Sequence, residues 1–478
     1  MPPLLYYSMK KRHLIIAGSV LSHLLLMVLL NGCAILGNRG ASATRGHAFI
    51  AYWPAPETGG RLRLAVKDNI DMKGVVTSAG SEYVSKNSAP AARDAACLAI
   101  ARQRHVQIVG KTNLSEFAVS PSGINDYFGT PKSPFSRWWL RFIPGGSSSG
   151  SATAITDGLA DVAFGTDTTG SIRTPAACSG IAGLKTTFGL VPLQGVFPID
   201  AARLDTVGPM GKDIAHVVEG MDLLQHGFAE KYRAAVAAKP SAPRIRIGRL
   251  FLGETRPGKR LLRGTGLGNI FFDVANPAGL LLGVTDPRGL LLSGTDPRID
   301  EAVDAALASG QFQVVALDEA FKAKWLQAQK DANVMAAAGA WISDHKYESK
   351  TGVSARTKSV ILLGGILHKA AYRRALQRQA EWQRTLNRVF EKVDFIALPT
   401  LQTLPLTTPL VGNSALLEAR VLALQNTSPV NFAGNPALVL PIPVRNASVP
   451  VTSLQLIGPR LSEAELLNAG RLVETAVK

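Results

Sequence analysis

The sequence predicts an α/β fold, and three observations carry that expectation. Apolar strand-like runs alternate with helical spacing: Leu62 to Lys67 and Gln107 to Gly110 bracket a helical pattern around Asp94 to Arg104. Between Pro144 and Pro175, two clusters of Gly and Ser flank a segment that reads as a helix followed by a short strand. Late in the chain, VDFIALP, NPALVLPIPV and TSLQLIG supply strands that complete a sheet. At 478 residues, 46% hydrophobic and 18% charged, the chain is long enough for one large enzyme domain or two smaller ones.

The first 33 residues read as an export signal. Lys10, Lys11 and Arg12 precede an apolar run from Leu14 to Leu30, which ends in Leu30-Asn31-Gly32-Cys33. That ending resembles a bacterial lipoprotein box, which makes Cys33 the expected lipidated residue and the cell envelope the expected location. Ala34, which is not Asp, permits sorting to an outer membrane if the source has one. An uncleaved membrane anchor is the alternative. Residues 34–60, rich in Gly, Ala, Ser, Pro and Arg, read as a tether, with folding from about Arg61. Cys97 and Cys178 lack metal-ligand spacing and are expected as buried free thiols.

The balance of 52 Lys+Arg against 35 Asp+Glu fits affinity for nucleic acid or for an anionic membrane surface, as well as a merely solvated surface. The basic residues are spread out, with no zinc-finger spacing and no aromatic RNA-binding motif, so no nucleic-acid partner is expected.

The polar tripeptide Lys67-Asp68-Asn69 ends the first strand, which puts Lys67 where buried strand meets loop. Lys111 to Pro131, rich in Ser, Gly, Asn and Pro, reads as a long loop of the kind that often carries function. SIRTPAA opens a helix whose Pro175 suits a first turn, placing Ser171 near its N-terminus. Between Asn269 and Arg298 stand three ten-residue units, NIFFDVANPA, GLLLGVTDPR and GLLLSGTDPR, with Pro277, Pro287 and Pro297 in register. Three short units cannot build a solenoid core, so a duplicated surface insertion is expected, with a flap over the active site as the sharper alternative. Helical spacing returns at Asp300 to Leu307 and at Ala371 to Val393.

Chemistry is expected at the two Gly/Ser clusters, each of which holds a serine, Ser147 or Ser171. Consecutive amides in such turns point at one anion. Metal-dependent hydrolysis has no support in the sequence, which contains neither HExxH nor paired CxxC. Gly146-Ser147-Ser148-Ser149-Gly150 formally matches the G-x-S-x-G nucleophile elbow with Ser148 as nucleophile. That arrangement needs a late histidine, and none follows His368. Without histidine, the plausible base is a lysine.

Taken together and in order, AVKDNID, KTNLSEFA, PGGSSSGSA, GTDTTGSIRTPAA, GLKTTFG and NTSPVNFAGNPALVLP resemble the amidase signature family across most of residues 61 to 470. The resemblance implies one amidase domain over 61–478, with a mixed central sheet flanked by helices on both faces and no metal or cofactor. It also implies a Ser-Ser-Lys triad: Ser171 as nucleophile, Ser147 as a bridging residue after a cis peptide bond, and Lys67 as base. The serines are 24 positions apart, the family's usual separation. Thr168, Thr169, Gly170 and Ser171 are implied as the oxyanion-hole amides, and Asp167 and Arg173 as bracing residues. Lys67 can take a proton only when neutral, and bringing a lysine from about 10.4 to about 7 costs on the order of 4–5 kcal/mol, which burial at a strand end can supply.

Several positions depart from the family pattern. Thr169 replaces a glycine and is expected to narrow the oxyanion turn if it must take positive φ. Ser149 replaces another glycine, and Thr186 a proline. Only 33 residues, Ala34 to Val66, separate Cys33 from Lys67, so the helical N-terminal region of many members is expected to be missing. The resulting expectation is an envelope amidohydrolase, lipid-anchored to a membrane, acting on a small-molecule or peptide amide. The alternatives are a catalytically impaired homologue that serves as an envelope binding protein, and the A-type component of a glutamyl-tRNA amidotransferase. An export signal disfavours the second, because charged tRNA is cytosolic.

Overall fold

The computed structural model describes residues 46–54, 60–253 and 296–478, apart from 240, 242, 244, 409–413, 446 and 448. The expected export signal with Cys33, much of the expected tether and nearly all of the ten-residue repeats lie outside the described residues.

Eleven strands among the described residues form one sheet. They are β1 (Phe49–Tyr52), β2 (Arg63–Lys67), β3 (Gln107–Thr112), β4 (Val162–Asp167), β5 (Ala182–Lys185), β6 (Thr206–Gly211), β7 (Arg246–Arg249), β8 (Gln313–Ala316), β9 (Phe395–Pro399), β10 (Ala437–Pro443) and β11 (Val451–Ile457). Their spatial order is β1-β3-β2-β4-β6-β5-β10-β11-β9-β7-β8. β3, β2 and β4 run parallel at one end and β8, β7 and β9 at the other, with antiparallel pairs between them, so the sheet is mixed.

Period-2 alternation assigns each strand's side chains to opposite faces. Leu64, Val66, Leu438, Leu440, Phe395 and Ala397 face one core, shared with α5 (Ile214–Asp222), α7 (Pro297–Ser309) and α13 (Glu463–Val477). Ala65, Ala163 and Val439 face the other, where α3 (Ser149–Thr156) and α4 (Arg173–Ser179) pack. Further along that second face, Ile396 and Leu398 meet α8 (Glu319–Asp344) and α10 (Ala370–Phe390). Strands buried on both faces read as near-continuous apolar runs, which is why FIALP and ALVLPIP carry no clean alternation.

Two differences from the sequence expectation stand out. Folding does not wait for Arg61: β1 lies inside the span read as a tether and pairs antiparallel with β3. Four residues at a sheet edge leave little periodic signal. The 26-residue α8 also has no counterpart in the sequence reading. Its Ala-rich stretch gives weak contrast between faces, and it buries Gln329, Asp331 and Asn333 alongside Trp325 and Met335.

Candidate active site

Because β2 and β4 are parallel neighbours, with Val66 opposite Phe164, their C-terminal ends open on the same edge of the sheet. Lys67 is the last residue of β2 and Asp167 the last of β4. Lys67 is fully buried, and its Nζ bonds Ser147 Oγ at 2.7 Å and Thr166 Oγ1 at 2.8 Å. Burial lowers the Lys67 amine to about 7, although Asp167 and Asp205 pull it back up. Hydroxyl partners do not hold the positive charge as a carboxylate would, so the amine keeps access to its neutral form. Thr166, which the sequence reading passed over, is the second partner of this amine and also accepts from Asn69 Nδ2 at 3.1 Å.

Ser147 follows a cis peptide bond from Gly146, in the loop that enters α3. A side chain at Gly146 would lie 2.3 Å from the Ser120 carbonyl, so the close approach of these two loops requires glycine there. Ser148 is no elbow nucleophile: it is fully buried, and its hydroxyl donates to the Thr166 carbonyl at 3.3 Å. Ser171 keeps 7% exposure, where Ser147 and Ser148 have none, so it is the most reachable of the three hydroxyls.

Asp167 and Arg173 form a fully buried pair at 2.9 Å. Burial alone would raise the Asp167 carboxyl. The charge and hydrogen bonds of Arg173, with Lys185 and Asn431, outweigh that and bring it to about 2. Asp167 also accepts from the amides of Gly170 at 2.9 Å and Ile172 at 3.1 Å, which fixes the turn that carries Ser171. Arg173 reaches on to the Thr427 carbonyl at 2.9 Å and to Gln455 Oε1 at 2.8 Å. The C-terminal NTSPVNFAG run thereby braces the turn that carries Ser171 from more than 250 residues away.

One expectation is corrected by these bonds. Of the four amides assigned to an oxyanion, that of Gly170 is already committed to Asp167, because the carboxylate folds back over its own turn. The concern over Thr169 dissolves for a related reason. Positive φ falls on Gly170, at +138°, and Thr169 is not among the residues with positive φ. A side chain at Gly170 would meet Thr427 Oγ1 at 2.3 Å, and Thr427 and Gln425 both donate to the Thr169 carbonyl. Thr168 is held by its hydroxyl bond to Asp205 at 2.7 Å, and Asp205 in turn accepts from the amides of Ile199 and Asp200. Nothing local in the sequence marks Asp205, since it acts through tertiary contact.

The other two departures from the family pattern are accommodated. Ser149 donates to the Gly123 carbonyl at 3.2 Å, and Thr186 to the Val207 carbonyl at 2.8 Å. A second lysine, Lys185, is also fully buried and lowered to about 7 by burial, but its Nζ caps the Thr186 and Asn435 carbonyls. Cys97 and Cys178 are buried free thiols, both pushed up to about 12 by burial.

Known proteins share this arrangement of chain. The A-type component of the glutamyl-tRNA(Gln) amidotransferase from Symbiobacterium thermophilum is 32% identical over 431 residues, covering 84% of this chain and 80% of that one. A 2-amino-5-chloromuconic acid deaminase from Comamonas testosteroni is 29% identical over 436 residues, covering 87% and 81%. Among solved structures, 6-aminohexanoate cyclic dimer hydrolase superposes with a TM-score of 0.67 at 18% identity, covering 90% of this chain and 89% of that one, a likeness of fold. The amidase family model matches residues 62–247 and 298–467, resuming at the end of the ten-residue repeats, and with that coverage the chain belongs to the amidase signature family of hydrolases.

Proposed function

We propose that the protein hydrolyses the C–N bond of a small-molecule or peptide carboxamide through an acyl-enzyme on Ser171. The observation that carries this reading is the buried Lys67 amine, lowered to about 7 and 2.7 Å from Ser147 Oγ. Ser171 Oγ attacks the carbonyl carbon as its proton passes to Ser147 and the Ser147 proton passes to neutral Lys67. The amides of Thr168, Thr169 and Ser171 hold the developing oxyanion. Collapse breaks the C–N bond while the relay returns a proton to the leaving nitrogen. Water then attacks the ester carbonyl, giving up its proton along the same path, and frees the carboxylate and Ser171.

Intact Lys67, Ser147 and Ser171 weigh against a binding protein that has lost catalysis. The amidotransferase relatives favour a second reading, in which glutamine supplies ammonia to a partner protein. Ammonia release by the purified chain, assayed across aliphatic, aromatic and peptide amides beside glutamine, separates the two. Turnover of an amide other than glutamine, lost in Ser171→Ala, supports the hydrolase. Turnover confined to glutamine favours the second reading, and a Ser171→Ala chain as active as the wild type would end both.

We also propose an envelope location with Cys33 as the lipidated residue, supported by the charged, apolar and Leu-Asn-Gly-Cys order of the first 33 residues. Detergent partitioning that is identical for wild type and Cys33→Ser would remove the lipid anchor.

A further inference from the structure

Away from the Lys67, Ser147 and Ser171 loops, the turn at Trp138 and Trp139 holds both indole rings in solvent. Arg137 and Leu140 exchange backbone hydrogen bonds, at 2.8 Å from Arg137 N and 3.2 Å from Leu140 N, so the chain reverses through two residues, both tryptophan. They are 88% and 59% exposed, with rings edge to face at 5.0 Å. Turn tips favour Gly, Asn, Asp and Ser, each for a backbone reason that tryptophan does not share. Two tryptophans here place roughly 300 Å² of aromatic surface in water, packed mainly on each other.

We propose that this turn is a membrane-interface contact that seats the folded domain on an anionic lipid surface. Indole rings, apolar with one polar N–H, favour the boundary between water and acyl chains, and neighbouring cations favour anionic headgroups. Arg137 lies over the Trp139 ring at 5.7 Å. From Gly129 to Gly145 the chain carries Lys132, Arg137 and Arg141 and no carboxylate. The place of Gly46, the first described residue, favours lipid over other occupants. The Gly46 carbonyl accepts from Lys132 N at 3.3 Å, and Lys132 is six residues from Trp138. Six residues span at most about 22 Å, on a domain roughly 55 Å across. Gly46, sixteen residues after the apolar run Leu14–Leu30 in sequence, is therefore within roughly 30 Å of the tryptophan turn.

The test uses the full chain reconstituted in phosphatidylethanolamine–phosphatidylglycerol vesicles with brominated acyl chains, read by tryptophan emission per bound chain. Residues 1–45 contain no tryptophan, so the signal is blind to the N-terminal segment. Failure of the lipid-anchor reading would appear as lost vesicle recovery in place of lost quenching. The expected result is a loss of up to a third of the emission, the share of two rings among six, abolished in Trp138→Ser/Trp139→Ser and weakened in Arg137→Glu/Arg141→Glu. Turnover of a soluble amide should be unchanged in both variants. Unquenched emission from vesicle-bound wild type, or equal quenching in the double serine variant, overturns the proposal. So does a wild-type dimer that becomes a monomer in the serine variant without any lipid quenching, which would make the turn a contact between copies.

Discussion

The amide of Ser148 donates to the carbonyl of Ser171 at 3.0 Å, which joins the two Gly/Ser loops back to back across the edge of the sheet. The loop that carries Ser147 and the turn that carries Ser171 are thus held as one unit. Ser148 contributes its backbone to that unit, and its hydroxyl is spent on the Thr166 carbonyl. Ser148→Ala should therefore keep activity within about tenfold of wild type, the loss expected from one neutral hydrogen bond. Ser171→Ala should show none by the acyl-enzyme route. A fluorophosphonate probe followed by peptide mapping should label Ser171, and labelling at Ser148 would contradict the assignment.

Activity should rise with pH through about 7 and then level, because only neutral Lys67 accepts the proton. The profile of kcat/KM does not by itself identify the group, since burial also brings Lys185 and Asp200 to about 7. Stability separates them. Below pH 7 the folded and unfolded states both carry a protonated Lys67, and the full cost of burying it is felt. From pH 7 to about 10.5 only the unfolded state is protonated, and the cost declines. Lys67→Met should accordingly gain roughly 2–3 kcal/mol more, relative to wild type, at pH 6 than at pH 9. Denaturant unfolding at the two pH values measures this, and a difference independent of pH would show that Lys67 is not buried with a lowered pKa.

Gly170→Ala should reduce kcat/KM by at least about a hundredfold, the scale of a displaced oxyanion donor, while the chain stays folded. The added methyl would stand 2.3 Å from Thr427 Oγ1 at φ +138°. Thr169→Gly should stay within about tenfold of wild type, since Thr169 does not carry the positive φ. Steady-state kinetics of the pair distinguish these outcomes, and equal losses would mean that the turn relaxes around either residue.

Asp167→Asn should destabilise the fold by roughly 3–5 kcal/mol, because it leaves the Arg173 charge buried without its partner. Calorimetry of the single variants and of Asp167→Asn/Arg173→Met should show the double recovering part of that loss. A double variant no more stable than the worse single would place the coupling elsewhere.

Deleting Gly279 to Arg288, one whole repeat, should leave melting temperature and turnover nearly unchanged, since loop length carries a small entropic cost. The family match is interrupted between 247 and 298, a stretch that contains the repeats. A drop of many degrees would show that the unit is packed against the core, and altered substrate preference at unchanged stability would favour a flap.

The sequence by itself determined which residues are candidates for chemistry and much of the strand order along the chain. Lys67, Ser147, Ser171, Asp167 and Arg173 stand in short motifs whose residue types are dictated by what a strand end or a glycine turn must do locally. Such demands leave a mark within a few positions, so they can be read. The tertiary structure alone decided which of these groups meet and what their environment does to them. That Lys67 has Thr166 as a second partner follows from β2 and β4 being parallel neighbours. That Asp167 takes the Gly170 amide out of the oxyanion set follows from how its turn closes. That Thr427, Asn431 and Gln455 hold Arg173 follows from bonds spanning more than 250 residues. β1 and α8 are not legible in the sequence because a four-residue edge strand and an Ala-rich helix carry little periodic contrast. Local sequence records what a residue requires of its immediate backbone. Burial, charge and hydrogen bonding depend on the chain's distant parts, and they exist only once it has folded.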